Sequence, residues 1–227
     1  ARMVALKNIC ALIDYFKSAP KDLSNIKKAR IFMMKKAIPY INKLSSLYLE
    51  SVKNNNEKPS TATLKDHEHA ILLKTISKFG WICKKSKLND LFFNELTAIV
   101  QEFTDFETSQ ESENDMEVDS ENKSAKNLER EATKKKILRK IDIIICLMEQ
   151  IKLSKKHCEL IITFADSISK SKITQKKAFK ILSMILNNYE VSSYKELQEM
   201  FSKWTGYAFN PTQHEQKLHM LKIFLSQ

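Results

Sequence analysis

The histidines and cysteines are the residues whose types best suit catalysis or metal binding. His67 and His69 flank Glu68 in the run DHEH. On a helix, residues two positions apart point about 200° away from each other, so these histidines cannot share a metal ion. His157 and Cys158 are adjacent in sequence, whereas a nucleophile and its base must meet in space. We therefore expect one of these two residues at the surface and the other in the core.

Other catalytic and cofactor motifs are absent from the sequence. The chain has no glycine-rich phosphate loop, no nucleophile elbow and no HExxH pair. The four cysteines lie in apolar runs without CxxC spacing, at Cys10, Cys83, Cys146 and Cys158. That arrangement predicts reduced, buried thiols of an intracellular protein, not a disulfide framework or a zinc site. We therefore predict a protein that is not an enzyme and needs no cofactor, metal ion or small-molecule substrate.

Two groups of basic residues carry the most functional information. The 134–140 cluster consists of Lys134, Lys135, Lys136, Arg139 and Lys140. The 170–180 cluster consists of Lys170, Lys172, Lys176, Lys177 and Lys180. The first is expected to open a helix, where positive charge opposes the helix dipole and so indicates function more than stability. Lysines without neighbouring aromatic platforms predict RNA contacts to phosphate that tolerate sequence changes and weaken steeply with salt.

Further basic residues extend this field or form smaller patches. Lys27, Lys28, Arg30, Lys35 and Lys36 lie in one run, and Lys84, Lys85 and Lys87 lie in another. The aromatic residues Tyr15, Trp81 and Trp204 are expected to be core or groove anchors, not platforms for bases.

The charge of the chain is distributed unevenly. It has 38 Lys and Arg against 27 Asp and Glu, a formal net charge of +11. Residues 101–122 contain nine acidic residues and no basic one, so the rest of the chain is more basic than this average. Such a field favours polyanions: RNA, DNA, anionic membranes or acidic protein tails. The alternative is that the lysines only keep helical faces soluble.

The composition predicts an all-helical fold. The 227 residues are 43% hydrophobic and include only two glycines and four prolines, too few for the turns of a sandwich, barrel or doubly wound sheet. Apolar residues recur at helical spacing, as in Ile9, Leu12, Ile13 and Phe16. A stripe that ends at Phe79 is expected to stop at Gly80. No apolar run approaches the roughly 18–20 residues of a membrane span, and no signal peptide is visible, so no membrane partner is expected.

The spacing of the helices predicts a solenoid. Helix pairs begin near residues 3, 61, 126 and 174, close to the unit of about 40–47 residues in HEAT and armadillo repeats once the acidic segment is discounted. The first interval is longer, and a break or kink at Pro39 would supply an extra helix there. Stacked corners would place the two basic clusters along a shared ridge. Later helices are expected through Leu197–Trp204 and Leu218–Leu225.

The domain organisation follows from these patterns. Residues 1–104 and 125–227 are predicted to form HEAT-like repeats of one continuous α-solenoid. Residues 105–124 are predicted to be an acidic, disordered insert, either a solvated loop or an internal competitor for RNA. The chain begins inside a helical pattern and without an initiator methionine, so we expect a fragment of a longer protein.

Gln175–Leu182, QKKAFKIL, resembles a helix signature in the central domain of a eukaryotic family, the HEAT-repeat ribosomal-RNA-processing protein twelve. YKELQEMF and HEQKLHMLKIFL follow in the order of that domain, and AIPYINKLSSLYLE and VALKNICALI are similar to earlier repeat helices. The resemblance covers nearly all of the chain outside the acidic insert and is firmest over 137–225. The QKKAF run also has a structural interpretation, in which Ala178 permits close helix packing and the lysines solvate the outer face.

The resemblance implies a ribosome biogenesis factor of the nucleolus and nucleus that also shuttles to the cytoplasm. Its expected partners are pre-ribosomal RNA, ribosome assembly factors and ribosomal proteins, during maturation and nuclear export of the small-subunit precursor. The family supplies no residue-level RNA site, so the lysines named above are inferred from charge. The alternative is a HEAT scaffold or an adaptor similar to nuclear transport receptors that binds only proteins.

Overall fold

The described residues are helical. The computed structural model describes residues 2–20, 24–50, 59–113, 120–169 and 174–188, together with Lys195, Glu199 and Leu218. Seven helices occupy these ranges: α1 Arg2–Ser18, α2 Ser24–Glu50, α3 Pro59–Ile82, α4 Lys85–Glu113, α5 Ser120–Met148, α6 Lys155–Ser169 and α7 Gln175–Asn188. The predicted all-helical class is confirmed for this part of the chain. The helices predicted through 197–204 and 218–225 lie outside the described residues, apart from Glu199 and Leu218.

The chain forms two compact units. Residues 1–152 make the first, which contains α1 to α5, and residues 153–227 make the second, which contains α6 and α7. The boundary therefore falls after α5, and the acidic segment lies inside the first unit, between two helices that pack against each other.

Helix α3 is the centre of the first unit, because α1, α2 and α5 all pack on it. Its apolar stripe is buried at Ile71, Leu72, Ile76 and Phe79. Contacts with α1 keep a nearly constant sequence offset: Arg2 meets Glu68, Cys10 meets Thr75, and Asp14 meets Lys78. Such an offset means that α1 and α3 run parallel.

Helix α2 runs in the opposite direction to α3. Tyr40 stacks near Phe79, with ring centroids 5.2 Å apart, and Tyr48 meets His69 at 5.4 Å. Moving forward along α2 therefore means moving backward along α3. Gln150, just after α5, donates a hydrogen bond to Ser77 at 3.0 Å.

Pro39 does not end α2, so the predicted break is wrong. The helix continues through it from Ser24 to Glu50, and no extra helix lengthens the first interval. Pro39 is exposed, so the backbone carbonyl that loses its partner, at the exposed Lys35, is open to water. The buried side chains Ala37 and Ile41 lie on either side of Pro39 in sequence and hold both halves of the helix against the core.

The acidic segment is more helical than predicted. Helix α4 continues to Glu113 and α5 begins at Ser120, so the disorder predicted over 105–124 is wrong for 105–113 and 120–124. Residues 114–119 lie outside the described residues. Neither extension contains Gly or Pro, and Glu and Gln are good helix formers, so a solvated helix continues without an apolar stripe. Thr108 also donates to the carbonyl of Thr104 at 2.9 Å.

Gly80 lies within α3, which ends two residues later at Ile82, so the predicted stop at this glycine is wrong. No described glycine has a positive φ. The reason for glycine here is space: a Cβ at this position would lie 3.2 Å from Cγ of Gln150. The glycine thus allows the residues after α5 to approach α3 closely.

The second unit contains a well-separated apolar face on each helix. On α6 the residues Cys158, Ile161, Phe164, Ala165 and Ile168 are buried, and on α7 Ala178, Ile181, Leu182 and Ile185 are fully buried. Thr174 connects the two helices, because its hydroxyl donates to the carbonyl of Ile168 and its own carbonyl accepts from Ala178 at 3.0 Å. The full burial of Ala178 agrees with the structural interpretation of the QKKAF run.

The cysteines behave as structural thiols in the described part of the chain. None of the four forms a disulfide; Cys10, Cys83 and Cys158 are buried, and Cys146 is half-buried. Burial raises the pKa of the Cys83 thiol.

Replacement of Pro39 by alanine tests the account of α2. We expect Pro39→Ala to raise the free energy of unfolding by up to about 3 kcal/mol, because it restores one backbone hydrogen bond and removes ring crowding. Urea denaturation followed by circular dichroism measures this change. Ser46→Ala, at another exposed position of α2, is the control and should change stability by less than about 0.5 kcal/mol. A loss of stability in Pro39→Ala would contradict the account.

Candidate nucleic-acid interface

The 134–140 cluster lies in the second half of α5, not at its start. The expectation that these residues open a helix is wrong, because α5 begins at Ser120. The preceding residues include Glu, Arg, Ala and Lys, which favour helix, and contain no Gly or Pro. The helix dipole therefore has little influence on the cluster, because its effect falls off within the first turn. The position of these residues therefore no longer supports a function through charges that oppose the helix dipole.

Arg139 is part of the packing between α5 and α2. Its guanidinium donates to the backbone carbonyl of Tyr48 and lies 5.2 Å from the centroid of that ring. The Tyr48 hydroxyl in turn donates to Asp142 at 3.0 Å. This network joins the two helices through Tyr48, which is only 5% exposed. Arg139 thus has a structural contact that its position in a basic run did not predict.

Tyr48 is kept neutral by its surroundings. Burial raises the pKa of Tyr48 well above its ordinary value of 10.0, and the carboxylate of Asp142 adds to the shift. The positive charge of Arg139 opposes this effect but does not outweigh it. The hydroxyl therefore remains a hydrogen-bond donor over the whole physiological range of pH.

The lysines of the 134–140 cluster differ in their availability. Lys140 is 15% exposed and pairs with Glu102 of α4, and Lys134 pairs with Glu131 one turn earlier at 3.6 Å. Lys135 and Lys136 are exposed. The cluster therefore offers a polyanion two open lysines and two that are already paired.

A groove beside this cluster carries acidic as well as basic groups. It has a volume of about 390 Å³ and lies between the end of α2 and the middle of α5. Glu50, Glu129 and Lys136 all line it, together with apolar atoms of Leu49 and Ala132. The two carboxylates make this side of α5 a poor surface for phosphate.

The 170–180 cluster is only partly described. Lys170 and Lys172 lie outside the described residues. Lys176 and Lys180 are exposed one turn apart on α7, and Lys177 is half-buried. Lys176 and Lys177 fall in the first turn of α7. Because this cluster belongs to the second unit and the 134–140 cluster to the first, the predicted shared ridge stays a prediction.

The outer face of α2 is a basic surface that the sequence analysis only partly identified. It is defined here by Lys28, Lys35, Lys36 and Lys43, all of them exposed. Steps of seven and eight residues place them on one side of the helix, away from the buried Ala37 and Ile41. Within the described residues none of the four forms an ion pair, and Glu50 is the only acidic residue of α2. The sequence analysis missed Lys43 because this lysine stands alone in sequence. Its helical spacing from Lys35 and Lys36 was the signal that could have identified it.

The three described histidines, His67, His69 and His157, differ in exposure. His67 is exposed, whereas His69 is half-buried against Tyr48. Cys158 is fully buried beside the half-buried His157, so the prediction for this pair is confirmed only for the cysteine. Within the described ranges, no group of three or more His, Cys, Asp or Glu residues is placed to hold a metal ion. None of the described helices is long and apolar enough to cross a bilayer.

The Arg139 contact predicts a stability effect. Arg139→Ala should lower the free energy of unfolding by about 1–3 kcal/mol, because it leaves the Tyr48 carbonyl without its charged donor in a buried place. Lys135→Ala is the matched control on the same helix and should change stability by less than about 0.5 kcal/mol. Equal effects of the two variants in urea denaturation would show that Arg139 is an ordinary surface residue.

The raised pKa of Tyr48 predicts a dependence on alkaline pH. Above pH 10.0 the tyrosine ionises in the unfolded chain but not in the folded one, so its contribution to stability falls as pH rises. The chain should therefore be more stable than Tyr48→Phe near pH 8 by about 1 kcal/mol, and this difference should shrink by about pH 11. Denaturation of both proteins at each pH measures it. A difference that is independent of pH would contradict the assignment.

No protein-family model, curated protein or solved structure matches this chain.

Proposed function

We propose that this chain is a helical-repeat scaffold of ribosome biogenesis that binds pre-ribosomal RNA through lysines and holds protein segments in its grooves. In this proposal it works on the small-subunit precursor in the nucleolus and nucleus, as the resemblance of QKKAFKIL and its neighbouring segments to the ribosomal-RNA-processing protein twelve family suggests. The lysines of the outer face of α2, which are exposed and form no ion pair with any described residue, are the observation that carries the RNA-binding part.

The directions of the first helices support a repeat architecture. Offsets of 66, 65 and 64 residues relate the contacts of α1 with α3, and Gln150 meets Ser77 at an offset of 73. Helix α2 runs antiparallel between the parallel α1 and α3 in chain order. Stacked helical hairpins place an antiparallel helix between two parallel ones, as an up-and-down bundle also does. The helix directions are therefore compatible with the proposed solenoid.

The exposed lysines support contacts to phosphate. Each carries its charge on a flexible stem, and on α2 the described residues show no carboxylate paired with them, so phosphate meets little competition on that face. The set consists of Lys28, Lys35, Lys36 and Lys43 on α2, Lys135 and Lys136 on α5, and Lys176 and Lys180 on α7. Exposed lysines without aromatic platforms suit contacts to the phosphate backbone better than recognition of individual bases. Arg139 and Lys140 contribute less in this proposal, because contacts within the chain already engage them.

A scaffold that binds only proteins is the second candidate. The groove with Glu50 and Glu129 beside Lys136 favours it, because a surface with both charges suits a polar peptide better than RNA. Large apolar side chains at the surface favour it too, such as Phe32 at 56% and Val4 at 61% exposure. The two candidates differ in one measurable property, which is affinity for RNA at low salt.

Binding of the 227-residue chain to a structured ribosomal RNA fragment across a salt series tests the proposal. We expect a steep fall of affinity with salt, with a slope reduced by up to about two units for each double lysine-to-glutamate variant. The variants are Lys35→Glu with Lys43→Glu, Lys135→Glu with Lys136→Glu, and Lys176→Glu with Lys180→Glu. The 227-residue chain should also co-sediment with small-subunit precursor particles.

Lys7→Glu with Lys74→Glu is the matched control, because both lysines are exposed, on α1 and α3, outside the proposed contacts. It changes the net charge by the same amount as each test variant. A control that loses as much affinity as the test variants would mean that only net charge matters. Absence of RNA binding at low salt would favour the protein-only scaffold.

A further inference from the structure

The core stripe of α2 continues beyond the part that α3 covers. Alternating steps of three and four residues relate its buried members, Ala37, Ile41, Leu44 and Tyr48. The same steps lead backward to Met34 and Arg30, where burial ends: Met34 is 39% exposed and Arg30 half-buried. Alternation of this kind forms a seam that normally packs against a neighbouring helix. The first half of α2 therefore presents an uncovered continuation of a helix-packing seam.

This uncovered seam forms one wall of a groove. Arg30, Ile31 and Met34 of α2 face Trp81 and Ile82 at the end of α3 across a space of about 190 Å³. Apolar atoms therefore dominate the floor, and Ile31 is 41% exposed although it is large and apolar. A binding groove for an amphipathic helix has this combination of an aromatic anchor and aliphatic walls.

The surroundings of the groove are positively charged. Lys17 of α1 lies over the Trp81 ring, with its Nζ 5.1 Å from the centroid. Lys27 is exposed one turn before Arg30, and Lys84 is exposed just after α3. The nearest acidic residue of α1, Asp14, pairs with Lys78, which lowers the pKa of its carboxyl. The groove thus combines an apolar floor with a basic rim.

We infer that this α2–α3 groove, lined by Arg30, Ile31, Met34, Trp81 and Ile82, binds an amphipathic helix with an acidic flank from a partner protein. The apolar residues of the partner helix complete the seam over Met34, and the carboxylates of that helix meet Arg30, Lys17 and Lys27. RNA fits less well, because apolar atoms dominate the floor and the seam spacing matches a helix. The inference deepens the protein-binding part of the proposed function and rests on that function for its biological setting.

A designed peptide is the probe. It has about four helical turns, apolar residues at steps of three and four, and glutamates along one flank. Its binding to the 227-residue chain is measured by fluorescence anisotropy, beside a scrambled peptide of the same composition. Met34→Glu and Arg30→Glu should each weaken binding by about tenfold or more. Phe32→Glu is the matched control, because Phe32 lies on the opposite side of α2 and is 56% exposed; it should leave binding nearly unchanged.

A charge exchange separates recognition from loss of folding. Arg30→Glu should bind a version of the peptide with arginines in place of its glutamates more tightly than the unchanged chain does. A merely unfolded variant would bind neither peptide specifically. Equal binding of the designed and scrambled peptides would overturn the inference, as would an equal loss in Phe32→Glu and Met34→Glu.

RNA affinity measured on the same proteins keeps the two proposals apart. Retained RNA binding in Met34→Glu, with peptide binding lost, supports a separate protein groove. Loss of RNA binding in Met34→Glu without any peptide binding by the unchanged chain would overturn the inference and assign the groove to nucleic acid. Peptide binding in a chain that fails to bind RNA would support the groove and reject the RNA part of the proposed function.

Discussion

The first unit depends on the burial of one apolar stripe on α3. Three helices pack on α3, so its direction and the spacing of its buried residues decide which sides of α1, α2 and α5 face inward. The lysines of α2 face outward because Ala37 and Ile41 must reach α3 on the other side. The available basic surface is therefore a consequence of core packing, since a helix that buries one face presents its remaining residues to solvent.

The contacts of Tyr48 show how one buried polar side chain engages neighbouring charged residues in contacts between helices. A phenol in the core needs a partner for its hydroxyl, and Asp142 accepts that bond. The guanidinium of Arg139 donates to the backbone carbonyl of Tyr48 and lies over its ring. The half-buried Arg139 is thus engaged between two helices, while Lys135 and Lys136 on the same helix remain in solvent.

Periodicity in the sequence predicted the helices well, because apolar residues that recur every 3.6 residues, in a chain with few glycines, are compatible with little other than helix. It failed where tertiary contacts decide the outcome. Packing on both sides of Pro39 keeps α2 continuous, and a solvated helix needs no apolar stripe, so α4 extends into the acidic segment. The pairing of Lys140 with Glu102 joins two helices across a distance in sequence, and no local pattern reveals such a contact.

The buried thiols give each unit its own internal reporter. A thiolate is the reactive form of cysteine, and a buried thiol meets a reagent only when the surrounding structure opens. Cys10 and Cys83 lie in the first unit and Cys158 in the second, so the rates at which they become modified record two separate opening reactions. Cys83 is further protected because burial raises its pKa. Mass spectrometry of the labelled chain would thus resolve the stabilities of the two units within a single native protein.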